Sequence, residues 1–337
     1  MKRFELADFL KGYSIFTIII YHYLQTFSLP PLAAKAINIG GTGVHSFLLI
    51  SGFGLYLSFQ NKPLGFAQFI KRRLGKVYLP YIIVVILSAI ITLFIPIYHS
   101  SWYALGGHVL LYKMFDSSII GSYGGQFWFV STIIQFYLVF HGLAWLKRNT
   151  SNGLFIGIGL VASIGWAALI VFLGKSELAS YNRFFLQYAW EFMLGMVLAA
   201  MVNNNTLDII AGKLTKWHYL LIGAGGMALY VGMALKLGFI GQLFNDIPAL
   251  TGYSFIAIFI YKLQLKPVNQ FFIYTGEISY PLFIIHILIN MLVVYFFTQY
   301  GLSAPTVITL LLSLGITYLA SHWYNKLVAV IYKWLGI

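Results

Sequence analysis

Residues Lys11–His22 read KGYSIFTIIIYH, a run of apolar and aromatic side chains with a lysine at one end and a histidine at the other. Such a run suits lipid, yet it ends on an ionisable ring. At about 3.6 residues per turn, eleven residues complete three turns with about 20° left over. The spacing therefore places both side chains on one face of a helix, with His22 about 16 Å deeper along the axis. Lys11 can extend its ammonium to the membrane surface. His22, expected near mid-membrane, must face a cavity or a bundle interior, because ionisable groups are costly in hydrocarbon.

The rest of the chain repeats the apolar half of that pattern. Of 337 residues, 60% are hydrophobic and 9% charged, against about 25% charged in soluble domains. The apolar runs are too long for the roughly 10-residue alternating strands of a membrane barrel. These features predict an all-α membrane protein, a polytopic bundle of about ten transmembrane helices forming one domain over residues 1–337. The spans are expected near 11–29, 39–60, 77–97, 126–146, 154–174, 183–202, 217–236, 247–263, 271–297 and 304–324. The first reads as a retained helix, not a cleaved signal peptide.

A net charge of +13 on a soluble protein would suggest nucleic acid. In a membrane protein it marks loops held in the cytoplasm. With the N-terminus inside, Lys35, Lys113, Lys175, Arg183 and Lys236 fall outside, and the other 16 of the 21 basic residues fall inside. Both termini are then cytoplasmic, and membrane lipid, with no nucleic acid, is the expected surrounding. Cysteine is absent, so there is no disulfide, thiolate ligand or thiol nucleophile. No HExxH or GxSxG pattern occurs; neither a metal nor a bound cofactor is expected.

Several polar residues fall within the spans. His286 belongs to GEISYPLFIIHILIN, seven residues after Ser279 and one turn before Asn290, all on one face. It is expected about 10 residues into its span and His22 about 11 into its own, so the two match in depth and can share a cavity. Trp128, Ser131 and Gln135 recur at three and four residues, a polar stripe along one helix. Glu191 is one of eight acids and needs a partner at mid-depth; His22, His286 and Arg183 are the candidates. In FIKRRLGKVYLPY, Arg72, Arg73 and Lys76 share a helical face ahead of Pro80, which should kink or start the third span. Such a cluster suits anionic head groups or a phosphate clamp. Ser51, Gly52 and Gly54 are read as close-packing positions. His45, near the outer end of its span, needs no special explanation. His99, His108 and His218 are expected near loops.

Five segments in order, RFELADFLKGYSIFTIIIYH, LLISGFGLYLSF, FIKRRLGKVYLPY, FWFVSTIIQFY and ISYPLFIIH, resemble acyltransferase family 3. These are membrane O-acyltransferases of about ten helices, many of which modify bacterial surface glycans. The resemblance runs from Arg3 to about His286. It implies that His22 is the catalytic base and that Lys11 stands where the family has an upstream arginine. It implies that Arg73 and Lys76, with Arg72 adjacent, replace an RxxR phosphate motif. It gives His286 the place of a recurrent late histidine. Trp128 would join the acyl-CoA site, and Ser131, Gln135, His286 and Glu191 would act in catalysis or orient the acceptor. The donor would be acyl-CoA, acetyl-CoA in the first place or succinyl-CoA, entering from the cytoplasm. The acceptor would be a hydroxyl of a cell-surface glycan or lipid-linked sugar at the inner (plasma) membrane. Lysines at 11 and 76 keep charge but lose the bidentate fork of arginine. Ile133 and Ile134 stand where many relatives have acids, and the chain reads as the stand-alone form without a C-terminal esterase-like domain. The oligomeric state stays open. Two other classes fit the residues alone: a transporter or exporter of a glycan precursor, which would need no acyl-CoA, and a lipid-sensing scaffold, indifferent to loss of the histidines.

Overall fold

The computed structural model describes residues 4–27, 29–30, 33–34, 37, 41–203, 206, 209, 212–301 and 307–336. Lys2, Arg3 and Lys35 of the charge tally, and the expected span starts at 39 and 304, lie outside the described residues. Among those described there are thirteen α-helices: α1 (Glu5–Leu24), α2 (Gly43–Asn61), α3 (Phe66–Phe94), α4 (Trp102–Val109), α5 (Trp128–Asn149), α6 (Asn152–Phe172), α7 (Ala179–Asn182), α8 (Ala189–Asn203), α9 (Lys216–Phe244), α10 (Asp246–Lys262), α11 (Lys266–Glu277), α12 (Ser279–Gln299) and α13 (Val307–Leu335). Nine of the ten expected spans each fall on a single longer helix, and the one expected over 271–297 covers parts of α11 and α12. Among the described residues, seven segments, on α3, α5, α6, α8, α9, α12 and α13, are long and apolar enough to cross a membrane. Helix is what such sequences must form, since hydrocarbon offers backbone N–H and C=O groups no other partner.

Three boundaries differ from expectation. The first helix starts at Glu5, so His22 stands two residues from its C-terminal end rather than midway. The segment expected over 271–297 is two helices, because the chain leaves helical geometry at Ile278 (φ −103°, ψ 18°). Pro281 has no N–H to offer the carbonyl four residues back, which favours a break there. The third helix starts at Phe66 and runs through Pro80, where a start or kink was expected.

The chain divides into two compact units: residues 1–14, 42–66 and 135–277 in one, 15–41, 67–134 and 278–337 in the other. In the second, the continuity of α3 has a visible cause. Proline removes one N–H, which leaves the carbonyl of Lys76 without its helical donor. Tyr332 on α13 donates its O–H to that oxygen at 2.9 Å. Tyr280 on α12 donates to the next carbonyl, Val77, at 2.5 Å, and Tyr324 on α13 donates to Pro80 O at 2.7 Å.

The connection at 100–125 is also built, not loose. Ser101 caps α4 by accepting from Ala104 N at 3.0 Å. His108, expected near a loop, is fully buried. Tyr81 O–H donates to its Nδ1 (2.7 Å), and its Nε2–H donates to Ser122 O and Oγ (3.0 and 2.9 Å). Burial, then the nearby Lys113 ammonium, holds the ring neutral, with its pKa pushed down to about 2. Lys113 itself, counted from sequence as an outer loop charge, is fully buried and donates to Gly124 O at 3.3 Å.

In the first unit, glycines set the helix spacing. A Cβ on Gly52 of α2 would collide with the carbonyl of Phe192 on α8, and one on Gly195 of α8 would collide with the carbonyl of Leu49. The two backbones touch, as small residues permit in membranes. Gly54 has open space beside it, so only Gly52 of that expected pair packs closely.

Candidate functional site

The second unit brings His22 and His286 together. Their ring centroids are 5.3 Å apart at an interplanar angle of 35°. His286 lies on α12 and is fully buried. Its Nδ1 is 3.0 Å from Leu282 O and 2.9 Å from Phe283 O. Both are acceptors, so Nδ1 carries the hydrogen and Nε2 the lone pair. Nε2 is buried and has no hydrogen-bond partner among the described residues. His22 is half-buried, and its Nδ1 lies 3.2 Å from Gln25 Oε1. If Nδ1–H donates to Gln25, the basic nitrogen of His22 is also Nε2.

Tyr23, next to His22, fixes this arrangement. Its O–H donates to His286 O at 3.0 Å, and its oxygen lies 2.6 Å from Thr317 Oγ1 on α13. The start of α5 packs beside the pair. Gln126 donates to Ile284 O at 3.5 Å, and the rings of Phe129 and Phe283 are 5.4 Å apart. Trp128 is the first residue of α5 and half-buried, while Ser131, one turn on, is buried.

Arg72, Arg73 and Lys76 lie on one stretch of α3. Arg72 is exposed; Arg73 and Lys76 are half-buried, with the Arg73 guanidinium 5.6 Å from the Phe69 ring centre. The tyrosine contacts relate this turn to the histidines. Tyr332 and Tyr324 meet Lys76 and Pro80 respectively, so α13 runs antiparallel to α3. Thr317 is level with His286 through Tyr23, and Tyr332 is level with Tyr280 through adjacent carbonyls of α3. Hence α12 is antiparallel to α13 and parallel to α3. Arg73 precedes Val77 by four residues and His286 follows Tyr280 by six. At about 1.5 Å per residue, the basic turn and the buried base are about 15 Å apart along the bundle.

His22, His286, Trp128, Ser131, Arg72, Arg73 and Lys76 thus belong to one compact unit; Lys11, Gln135 and Glu191 belong to the other. Lys11 Nζ lies 2.5 Å from Asp8 Oδ1, which offsets its charge. Gln135 Oε1 accepts from Phe185 N at 3.2 Å, holding the start of a 3₁₀ turn. Glu191 is fully buried, and its partner is none of the three candidates named from sequence: His45 Nδ1 lies 2.6 Å from Glu191 Oε1. His45 therefore does need an explanation, and Asp246 joins it, with Oδ1 3.9 Å from His45 Nε2. Gln25 has a sequence clue, since it follows His22 by one turn. Tyr23, Thr317, His45 and Asp246 have none, because their meetings join segments distant in the chain.

The acyltransferase family 3 model, described as an acyltransferase domain, matches residues 6–323. No curated protein and no solved structure matches the chain.

Proposed function

Taking as premise that the chain belongs to acyltransferase family 3 and is a multi-pass membrane acyltransferase, we propose that it moves an acyl group from acyl-CoA to a hydroxyl of a glycan or lipid-linked sugar. The donor is acetyl-CoA, with succinyl-CoA the second choice, approaching from the cytoplasmic side of the inner (plasma) membrane. Arg72, Arg73 and Lys76 hold its phosphates, since guanidinium and ammonium groups bind such oxygens through charge-assisted bonds.

The observation that carries this reading is the histidine pair about 15 Å from a basic turn within one compact unit. A long donor, phosphates at one end and thioester at the other, matches that separation. His22 Nε2 takes the proton from the acceptor hydroxyl as its oxygen attacks the thioester carbonyl. The carbon–sulfur bond of the tetrahedral intermediate then breaks, and the imidazolium returns its proton to the leaving thiolate. Gln25 holds His22 in the tautomer this requires. His286 orients the acceptor through its own Nε2, with Trp128 and Ser131 beside it. Lys11, already paired with Asp8, contributes less to donor binding than the α3 turn.

The test uses membrane vesicles containing the protein, labelled acetyl-CoA or succinyl-CoA, and a lipid-linked glycan extract. Label is expected in the glycan, falling about 10²- to 10⁴-fold in His22→Ala, the range of general-base catalysis. Full transfer by His22→Ala would refute the assignment of the base. Absence of both transfer and donor hydrolysis across several extracts would refute the donor reading and favour export of a glycan precursor.

A further inference from the structure

A second buried polar cluster lies in the first unit and includes Glu191, which the proposed acyl transfer does not use. His45 on α2, Glu191 on α8 and Asp246 at the start of α10 each place a ligand-capable atom within 4.8 Å of the others. Glu191 is 0% exposed and Asp246 8%. Gln187, also buried, donates its Nε2–H to Asp246 Oδ2 at 2.8 Å and to Leu243 O at 2.9 Å. Two acceptors in this group, Glu191 Oε2 and Gln187 Oε1, have no hydrogen-bond partner among the described residues. They belong to different side chains from different turns, and both adjoin the cluster.

The charge does not close either. Two carboxylates face one imidazole; Arg183 acts on Tyr188, whose ring is 6.0 Å from that of His45, but it is not among the groups acting on either carboxylate. With the imidazole protonated and both acids ionised the group is still one charge negative, and uncompensated buried charge is costly. A cation or an additional proton must supply the balance. An 80 Å³ cavity lined by Gln187, Asp246, Ser163 and Trp190 reaches two of the four residues, giving space for a water or a hydrated ion to approach.

We propose that His45, Glu191 and Asp246 bind one divalent cation of zinc-like chemistry, with Gln187 Oε1 as a further oxygen. An imidazole nitrogen with carboxylate oxygens is a borderline donor set, met by zinc and its transition-metal neighbours rather than by magnesium or calcium. Zinc binds such atoms at about 2.0–2.2 Å, which places tetrahedral ligands about 3.4 Å apart. One ligand-capable atom from each of the three residues lies within 4.8 Å of the other two, in the neighbourhood of that spacing. The ring gives one nitrogen to the ion and keeps its N–H on the other for a carboxylate oxygen, which fixes its orientation. The ion joins α2, α8 and α10, and so its role is to hold the first unit together. This proposal stands independently of the acyl-transfer reading.

The experiment takes the full chain in detergent, strips it with a chelator, and titrates it with ZnCl₂ against a chromophoric competitor. Metal analysis of chain purified without chelator runs alongside. One zinc per chain is expected, with a raised thermal midpoint. Glu191→Gln and His45→Gln should each weaken binding roughly 100-fold or more and abolish the thermal shift. If these variants do not fold, CoCl₂ added to the wild-type chain decides: visible d–d bands of a four- or five-coordinate nitrogen–oxygen site support the proposal. It is overturned if the wild-type chain takes up neither Zn²⁺ nor Co²⁺ in stoichiometric amount. It is equally overturned if folded variants bind zinc as tightly as the wild type. In either case the cluster is balanced by a proton.

Discussion

Tyr332→Phe, made with and without Pro80→Ala, probes how the basic turn is held. In the native chain Lys76 O has lost its helical donor to Pro80 and takes the Tyr332 hydroxyl instead, at 2.9 Å. Removing that hydroxyl leaves the carbonyl unpaired. A net hydrogen bond contributes about 0.5–1.5 kcal/mol, and interhelical bonds in membrane proteins average about 0.6 kcal/mol. Tyr332→Phe should therefore cost about 1 kcal/mol. In Pro80→Ala, the backbone N–H regained at that position reaches Lys76 O within the helix, and the same hydroxyl becomes redundant. The cost should fall to less than half, giving a coupling of about 0.5–1 kcal/mol between the two sites. Reversible unfolding in mixed SDS micelles, followed by helicity, measures all four corners of the cycle. Equal costs in the two backgrounds, within about 0.3 kcal/mol, would refute the account of how α3 passes through a proline. Because Arg73 and Lys76 lie on that turn, the KM for acyl-CoA should rise up to about fivefold in Tyr332→Phe alone.

Gly52→Ala and Gly195→Ala each place a methyl against a backbone carbonyl and should cost about 1–3 kcal/mol, seen as lower thermal midpoints in detergent. Gly54→Ala, with open space beside it, should be neutral or stabilising by up to about 1 kcal/mol. Steady-state kinetics should separate the basic residues. Lys11→Ala, which loses a charge already paired with Asp8, should change the acyl-CoA KM by less than about threefold. Arg72→Ala with Arg73→Ala should raise it at least about tenfold, as loss of charge-assisted bonds implies. A larger effect at Lys11 would return it to the centre of the donor site.

What the sequence reveals here follows from what is periodic. Each of the ten expected spans meets a helix, because a long apolar run in lipid has one way to satisfy its backbone. The meeting of His22 and His286 was also expected, although both boundaries behind the depth argument were misplaced. His22 is 17 residues past the start of α1 and His286 seven past the start of α12, so the count that matched their depths does not hold, and the pair was reached by an incorrect route. Pro80 misled because propensity describes a helix alone, whereas three tyrosines from two other helices supply the donors that let it continue. Glu191 misled because charge complementarity names candidates without saying which helices touch. The contact that brings His45 to it is the glycine-lined approach of α2 to α8, and sequence showed only one side of it. Lys113 failed for a related reason: a lysine in a connection reads as solvated, and its burial depends on carbonyls that only the folded connection presents.

The Tyr23 hydroxyl separates the frame of the site from its reagents. It bonds to a backbone oxygen of His286 and to Thr317, and to neither imidazole. The spacing of the two histidine Cα positions is thereby set by a hydroxyl that lies outside the imidazole pair. Either ring can be exchanged while the scaffold that spaces them persists. Under the proposed reaction, substitutions at 22 and 286 should report on reactivity and a substitution at 23 on alignment, which makes the two contributions experimentally separable at the neighbouring positions 22 and 23 of one helix.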